Sequence, residues 1–501
     1  MAAGLGRIST KDFDYWAALH LLQRAGFGGT PSQVLALKNM GPEDAVDSLL
    51  EFQKVEETGT TARVDGRFDH NIMRAPTADE RRYRNQARRN GDEAALERIR
   101  NERQKRQRAD RRQLAELQAW WMGRMIETPR PFQEKMTLFL HGHFATGYRA
   151  VEDSYHMYMQ NELFRSNATG NFRDDLVRNI IRDPAMIKYL NNNQNSRRAP
   201  NENLARELME LFTLGEGRGY TEQDIKQGAR ALTGYTYQDD EFQFNERNHD
   251  DDMKVIFGKR DKWDGDDFVN LIFSRSSASE FICEKLYRFY VNDSKQTLEG
   301  PARATVRQMA KVFKSDDFEL KPVLRKLFLS KHFYDEVNRT AIIKSPVQLV
   351  VQAIRSLRAP ARNMPRLVQS CSLMGQDLFK PPSVKGWDGG RKWINTSTLF
   401  TRQNTLIYLL TGRMPGSKPW DNNSSGFDAR HLVEHLRELP GRDREHDSVV
   451  YLSRFTIGTV PEEKRLAEWV QYVRESGGID DNATIINLLA LMTAAPEYQL
   501  C

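Results

Sequence analysis

The helix predicted over residues 201–215 constrains this chain most, because it places a charged residue inside an apolar face. Asn201 can cap its first turn, and Gly215 occupies the position where a left-handed residue ends many helices. At about 100° per residue, Glu207 falls between the apolar directions of Leu211 and Leu214. A carboxylate in such a position is costly unless it is paired, protonated or bound to a metal. We therefore expect the chemistry of this protein near this helix.

The composition is that of a folded globular protein, with 39% hydrophobic, 28% charged and 10% aromatic residues in a chain of 501. No apolar run approaches the roughly 18 residues of a membrane span, so none is predicted. Residues 1–9 lack the apolar stretch of a secretory signal. The three cysteines are too widely spaced for a zinc motif or a disulfide framework. These features predict a cytoplasmic protein.

One segment accounts for the net charge of the whole chain. Residues 79–112 contain 13 Lys and Arg against 7 Asp and Glu, and this difference of +6 equals the net charge of the protein. Strong helix formers with a break near Asn90 and Gly91 predict a solvated charged helix or a helical hairpin. The alternative is a basic arm for RNA, DNA or acidic lipid. Nucleic acid is the less favoured partner, because aromatic residues that could stack on bases are scarce in this segment, Tyr83 being the exception.

Helical periodicity also dominates the rest of the chain. It predicts helices over 12–26, 132–143 and 345–357, and the last has a clear start in Ser345 and Pro346. Weak alternation over 235–257 predicts at most a small β-hairpin. We therefore predict an all-α protein, a large single multi-helical domain over 1–501 with a protruding charged helical insertion at 79–119.

Three pairs of polar residues indicate a candidate site. They are His141 with His143, Glu207 with Glu210, and His249 with Asp250. Imidazole and carboxylate groups are ligands of zinc, manganese and non-haem iron. We predict that His141, His143, Glu207, Glu210 and His249 bind a divalent transition metal. Glu207, His249 and Asp250 would then be catalytic, in a hydrolytic or oxidative enzyme. His141 and His143 can converge on one ion only if their helix ends at Gly142.

Two other interpretations remain open at the level of the sequence. In the first, Glu207 is a general acid with a raised pKa, and His249 or Asp250 is its partner, without a metal. In the second, Glu207 is neutralised by a buried arginine and the protein is a non-catalytic helical scaffold. The candidate arginines are Arg24, Arg206 and Arg230. Such a scaffold would bind a protein partner through residues 79–112 or through the Pro- and Gly-rich loop 381–393, from Pro381 to Trp393.

Several motifs together resemble a bacterial family of unknown function, DUF1800. They occupy residues 21–28, 134–144, 201–215, 229–234, 249–258, 381–387, 393–395 and 496–499. The resemblance implies a largely helical fold and brings no established activity. It implies that many relatives are exported, whereas no signal is seen here. This chain has Trp387-Asp388-Gly389 where the family pattern usually has Trp-Pro-Gly, and residues 79–112 resemble an insertion of a subgroup.

Overall fold

The computed structural model describes residues 4–62, 66–294, 297–413, 427–436 and 443–501. Within these ranges the chain folds into 22 α-helices, and its strands form two separate antiparallel hairpins. The all-α prediction is confirmed, with one more small hairpin than expected.

Three groups of helices follow one another along the chain. The first group is α1 (Tyr15–Ala25), α2 (Pro31–Met40), α3 (Pro42–Leu50), α4 (Ala78–Asn90), α5 (Glu93–Glu127), α6 (Pro131–His143), α7 (Tyr148–Val151) and α8 (Ser154–Ser166). The second is α9 (Arg178–Ile180), α10 (Pro184–Tyr189), α11 (Asn203–Glu207) and α12 (Glu222–Ala231). The third is α13 (Gly265–Phe273), α14 (Ser276–Tyr290), α15 (Gly300–Ser315), α16 (Leu320–Phe328), α17 (Pro346–Leu357), α18 (Met364–Leu373), α19 (Thr396–Thr411), α20 (Arg444–Ile457), α21 (Glu463–Glu475) and α22 (Asn482–Ala494).

The strands lie between α12 and α13. β1 (Tyr235–Gln238) pairs with β2 (Glu241–Phe244), and β3 (Lys254–Ile256) pairs with β4 (Lys259–Asp261). The buried apolar side chains form one core cluster that runs from Ile8 to Tyr498. Among the described residues we find no helix with the length and apolar character needed to cross a bilayer.

The charged segment is a helical hairpin. Thr77 and Glu80 form a reciprocal capping box at the start of α4, and Gly91 ends that helix in the left-handed conformation. Helix α5 then runs back along α4. Its far half enters the core through Leu117 and Trp121, whereas most side chains of the hairpin before Asp110 are exposed. The α4–α5 hairpin is therefore anchored at its base and open to solvent beyond it.

The central helix departs from regular α-helical geometry. Helix α11 continues directly into a π-helix, Leu208–Thr213, in which the amide of Leu214 donates to the carbonyl of Met209, 2.9 Å away. Asn201 accepts a bond from the amide of Asn203 at the start, and Gly215 has a φ of +93° at the end. The wider turns change the directions of the side chains after Glu207, so the predicted helical wheel does not hold there.

Candidate active site

A cavity of about 290 Å³ lies where the ends of α6 and of the π-helix meet α14. Its walls are completed by loop 215–218 and by the loop 381–393 predicted as a partner surface. The lining residues are His143, Glu210, Leu211, Gly215, Glu216, Arg218, Phe281, Lys285, Val384 and Lys385. This size is at the lower end of the range of small-molecule sites, roughly 300–1,000 Å³.

Two glycines allow the walls to approach each other. Gly386 has a φ of +85°, and a Cβ there would lie 2.2 Å from the carbonyl oxygen of Gly142. Gly215 also has a positive φ, and its Cβ would lie 2.8 Å from the ring of Phe281. Any larger residue would push loop 381–393 away from α6, or the end of the π-helix away from α14. The shape of the cavity therefore depends on both positions.

His143 joins α6 to the end of the π-helix. Its Nε2 lies 2.9 Å from the carbonyl oxygen of Phe212, and because a carbonyl can only accept, Nε2 donates and Nδ1 is unprotonated. Nδ1 is buried without a hydrogen-bond partner among the described residues. The pKa of His143 is lowered to about 3, mainly by burial and to a smaller extent by the positive charge of Lys285. The ring is therefore a neutral wall of the cavity that fixes a helix end.

Lys285 supplies an unpaired amine to the cavity. Its ammonium makes no hydrogen bond or ion pair with any residue that the structure describes, and it lies 5.5 Å from the ring centroid of Phe281. Burial lowers the pKa of Lys285 and Arg288 adds to this, while Glu284 acts in the opposite direction. Glu284 already pairs with Arg218 at 3.3 Å and with Arg288 at 2.9 Å.

We define the acidic edge as two carboxylates, Glu210, which lines the cavity, and Glu207, which lies beside Glu210 and is not among the lining residues. Glu210 lines the cavity, accepts a bond from Arg206 at 3.3 Å and lies close enough to Tyr220 to raise the pKa of its hydroxyl. Glu207 is half-buried and has no bonded partner within the described ranges. Burial raises the pKa of Glu207, and the negative charge of Glu210 raises it further, whereas Arg206 and Lys385 act to lower it.

The model of the family described as "Protein of unknown function (DUF1800)" matches residues 20–500, nearly the whole chain. This chain belongs to the DUF1800 family. No curated protein and no solved structure matches it.

The arginines predicted to neutralise Glu207 in this DUF1800 protein are bonded elsewhere. Arg24 donates to backbone carbonyls, among them that of Asn338 at 2.6 Å. Arg206 pairs with Glu202 at 3.0 Å and with Glu222 at 2.7 Å, besides Glu210. Arg230 is bonded to Asp250. The expected buried pair with Glu207 is therefore not formed by any of the three.

His141 lies in a different environment from His143. Helix α6 continues through His143, so the two rings, two residues apart, project in different directions. The Nε2 of His141 is 2.9 Å from the amide nitrogen of Asn161, and its ring packs against Trp121 at 4.7 Å and Phe164 at 4.8 Å. Burial holds its pKa well below the usual value. The condition for convergence of the two histidines on one ion is not met.

His249 and Asp250 join α12 to the two hairpins. The Nδ1 of His249 donates to the carbonyl oxygen of Thr233 at 2.8 Å, and the ring packs against Phe244. Asp250 receives two bonds from Arg230, at 2.7 and 3.1 Å. Burial acts to raise the pKa of Asp250, but the bonds from Arg230 outweigh it and the pKa is lowered. Neither residue lines the cavity.

The six predicted site residues of the DUF1800 protein thus lie in three different environments. His143 and Glu210 line the cavity with Glu207 beside them, His141 lies in an aromatic core, and His249 and Asp250 brace the hairpins. Over the described part of the chain, no group of three or more His, Cys, Asp or Glu is arranged to hold a metal ion.

Sequence reasoning missed the cationic wall, which comprises Arg218, Lys285 and Lys385. The one signal for Lys285 was its place four residues after Phe281 on α14, at the border of the buried face that includes Ile282 and Leu286. A single lysine at such a border is usually solvated. Its isolation here depends on elements distant in sequence.

Proposed function

We propose that this protein is an enzyme that carries out proton transfer on a small organic anion in the cavity, with Glu207 as the general acid–base residue. One observation carries the proposal. Lys285 lines the cavity and Glu207 lies beside its lining residue Glu210, neither has a bonded partner among the described residues, and burial shifts the pKa of each toward its neutral form. Titratable groups whose pKa is shifted by burial at a cleft, and which are not engaged in ion pairs, are candidates for acid–base residues.

The charges of the wall support an anionic substrate. Arg218 and Lys385 line the cavity and can bind a carboxylate or a phosphate, and Lys285 adds a third positive charge when its amine is protonated. The contact of 3.7 Å between Lys385 and Glu216 is exposed, so it contributes little and can give way to a ligand. Leu211, Phe281 and Val384 provide apolar surface for a short carbon skeleton.

Deuterium exchange tests proton transfer without knowledge of the complete reaction. A panel of small carboxylic acids and phosphate esters is incubated with the protein in D₂O, and loss of C–H signals is followed by proton NMR. We expect exchange with the wild-type protein and a fall of about 100-fold or more for Glu207→Gln, because general acid–base catalysis contributes roughly 10²–10⁴-fold. The control is Glu280→Gln, an exposed carboxylate on α14. Equal exchange by Glu207→Gln and wild type, or none above the protein-free rate, would overturn the proposal.

A metal-dependent version of this function has less support. His143 and Glu210 are the two predicted metal ligands that line the cavity. Glu210 is already bonded to Arg206, and in the described chain no third His, Cys, Asp or Glu completes a ligand group with these two. We therefore assign proton transfer to Glu207 without routing a step through an ion. A cytoplasmic location is part of the proposal, since Cys283, Cys371 and Cys501 are all free thiols.

An interaction function is the second candidate, and the exposed arginines of the α4–α5 hairpin favour it. Arg88, Arg89, Arg103 and Arg108 are exposed and have no bonded partner among the described residues. Charge complementarity would suit an acidic protein. The loop 381–393 is assigned to the cavity wall instead. Changing the four arginines to Gln should remove a salt-sensitive partner from affinity purifications, and an unchanged set of captured proteins would contradict this role.

A further inference from the structure

We propose that Lys285 is a nucleophile that forms an imine with the carbonyl carbon of a small 2-oxo acid. This inference rests on the proposed function, because it names the substrate class of the same cavity. A lysine becomes nucleophilic when its amine is desolvated or lies next to another cation. Lys285 meets both conditions, since it borders Phe281 and lies near Arg288.

Comparison with other lysines separates Lys285 from structural ones. Four lysines of the described chain have a lowered pKa: Lys135, Lys254, Lys285 and Lys344. Lys135 donates to Gln348, Lys254 to the carbonyl of Asp250 and Lys344 to the carbonyl of Tyr498. Lys285 alone among the four has no hydrogen bond within the described ranges, and it alone lines the cavity. The other three amines hold the fold together, whereas this one is available to a ligand.

The neighbours of Lys285 suit a carbonyl next to a carboxylate. Arg218 and Lys385 line the same cavity and can bind the carboxylate of the ligand. Glu210 lines it as well, with Glu207 beside it, so the acidic edge can supply and remove protons. The volume of about 290 Å³ favours a skeleton of a few carbons.

The reaction balances without an oxidant or reductant. The neutral amine of Lys285 attacks the carbonyl carbon, a C–N bond forms, and the carbonyl electron pair moves to the oxygen. The nitrogen gives one proton to the acidic edge, which passes it to this oxygen and so completes a carbinolamine. The edge then protonates the hydroxyl group, which leaves as water, and it recovers that proton from the nitrogen as the C=N bond forms. One amine and one carbonyl compound thus give one imine and one water. The imine withdraws electrons from the neighbouring carbon and so assists the proton transfer assigned to Glu207.

Borohydride trapping tests the inference directly. The full-length protein is incubated with glyoxylate or pyruvate, reduced with sodium borohydride, and analysed by intact mass and peptide mapping. We expect saturable addition of one ligand per chain at Lys285, and none at this position in Lys285→Met. Lys311→Met, which changes an exposed lysine on α15, should be labelled like the wild type. Arg218→Gln should raise the glyoxylate concentration for half-labelling about tenfold or more, as loss of a charged hydrogen bond does.

Controls separate this inference from the proposed function. Propanal, which has the carbonyl but no carboxylate, should label Lys285 weakly. Labelling scattered over exposed lysines, or labelling that does not saturate, would overturn the imine. If Lys285 stays unlabelled while Glu207-dependent deuterium exchange persists, the nucleophile is refuted and the acid–base enzyme is retained. If labelling occurs at Lys285 but no exchange depends on Glu207, the proposed acid–base role fails instead.

Discussion

Two glutamates of this protein, Glu134 and Glu207, show how partners decide what a buried carboxylate does. Glu134 is fully buried and receives bonds from Trp121 at 3.0 Å, from Arg124 at 2.6 Å and from Arg165 at 2.6 Å. Burial acts to raise its pKa, but the two arginines outweigh this and the pKa is lowered. Glu207 is only half-buried, has no bonded partner in the described chain, and has a raised pKa. The first belongs to the framework, and the second is available for chemistry.

The largest effect should follow the loss of the framework carboxylate. Glu134→Gln removes the fully buried carboxylate that Arg124 and Arg165 share, so their charges are balanced only by the less buried Glu57 and Glu162. Breaking a buried pair in this way destabilises a protein by about 3–5 kcal/mol. The free energy of unfolding from urea denaturation measures the change. An unchanged value would show that burial and pairing at Glu134 do not make it structural, and the comparison with Glu207 would fail.

A smaller effect is expected at Asp250, which the sequence suggested as catalytic. Asp250→Asn weakens the two bonds from Arg230, and hydrogen bonds to charged groups contribute about 1.5–3 kcal/mol. We expect a loss of unfolding free energy in that range, with the deuterium exchange of the folded variant unchanged. Loss of deuterium exchange without any loss of unfolding free energy would instead assign Asp250 to the active site.

These contrasts show what the sequence could predict and what it could not. Caps and apolar periodicity correctly predicted the start of α17 at Ser345 and the break at Gly91, because such signals lie within a few residues. The π-helix escaped prediction, since its end is held by His143, 69 residues away from Phe212. Lys285 was missed for a similar reason. Its amine is enclosed by α6, the π-helix and loop 381–393, which are distant in the sequence. The local sequence around Lys285 does not indicate that its amine lacks a bonded partner.

The polar residues of the candidate site were identified by type, while their groupings depended on tertiary contacts. His143, Glu207 and Glu210 were predicted together; His143 and Glu210 line one cavity, and Glu207 lies beside Glu210. His249 and Asp250 carry the same chemistry, yet Thr233 and Arg230 engage them at the hairpins. The chemical type of a side chain thus identifies a candidate site residue. The presence or absence of bonded partners then distinguishes structural residues from available ones.

A still smaller stability change is expected for Glu207→Gln. No hydrogen bond with a described residue is lost, so the free energy of unfolding should change by less than about 1 kcal/mol, the scale of weakly coupled surface charges. A loss comparable to that of Glu134→Gln would assign Glu207 to the framework.

The pH dependence of the stability should have opposite signs for Glu207 and Glu134. The pKa of Glu207 in the folded protein lies above its ordinary value of 4.5, so between the two values the folded state binds more protons. Stability of the wild type relative to Glu207→Gln should therefore fall as the pH rises through that window. For Glu134 the folded pKa lies below 4.5, so its contribution is present above 4.5 and is lost as the pH falls. Urea denaturation at several pH values for both variants measures the two trends, and trends of the same sign would contradict the assignment.

The smallest effect is expected from removal of metal ions. No three His, Cys, Asp or Glu side chains of the described chain are arranged to hold one metal ion. Dialysis against EDTA should therefore leave the melting temperature unchanged. Elemental analysis of protein purified without chelator should find zinc, manganese and iron well below one per chain. A metal present at 100 times its Kd would stabilise the fold by about 2.7 kcal/mol, so removal of a structural ion by EDTA would lower the melting temperature measurably. A near-stoichiometric metal that is lost in Glu207→Gln would instead make the acidic edge a metal site and remove its contrast with Glu134.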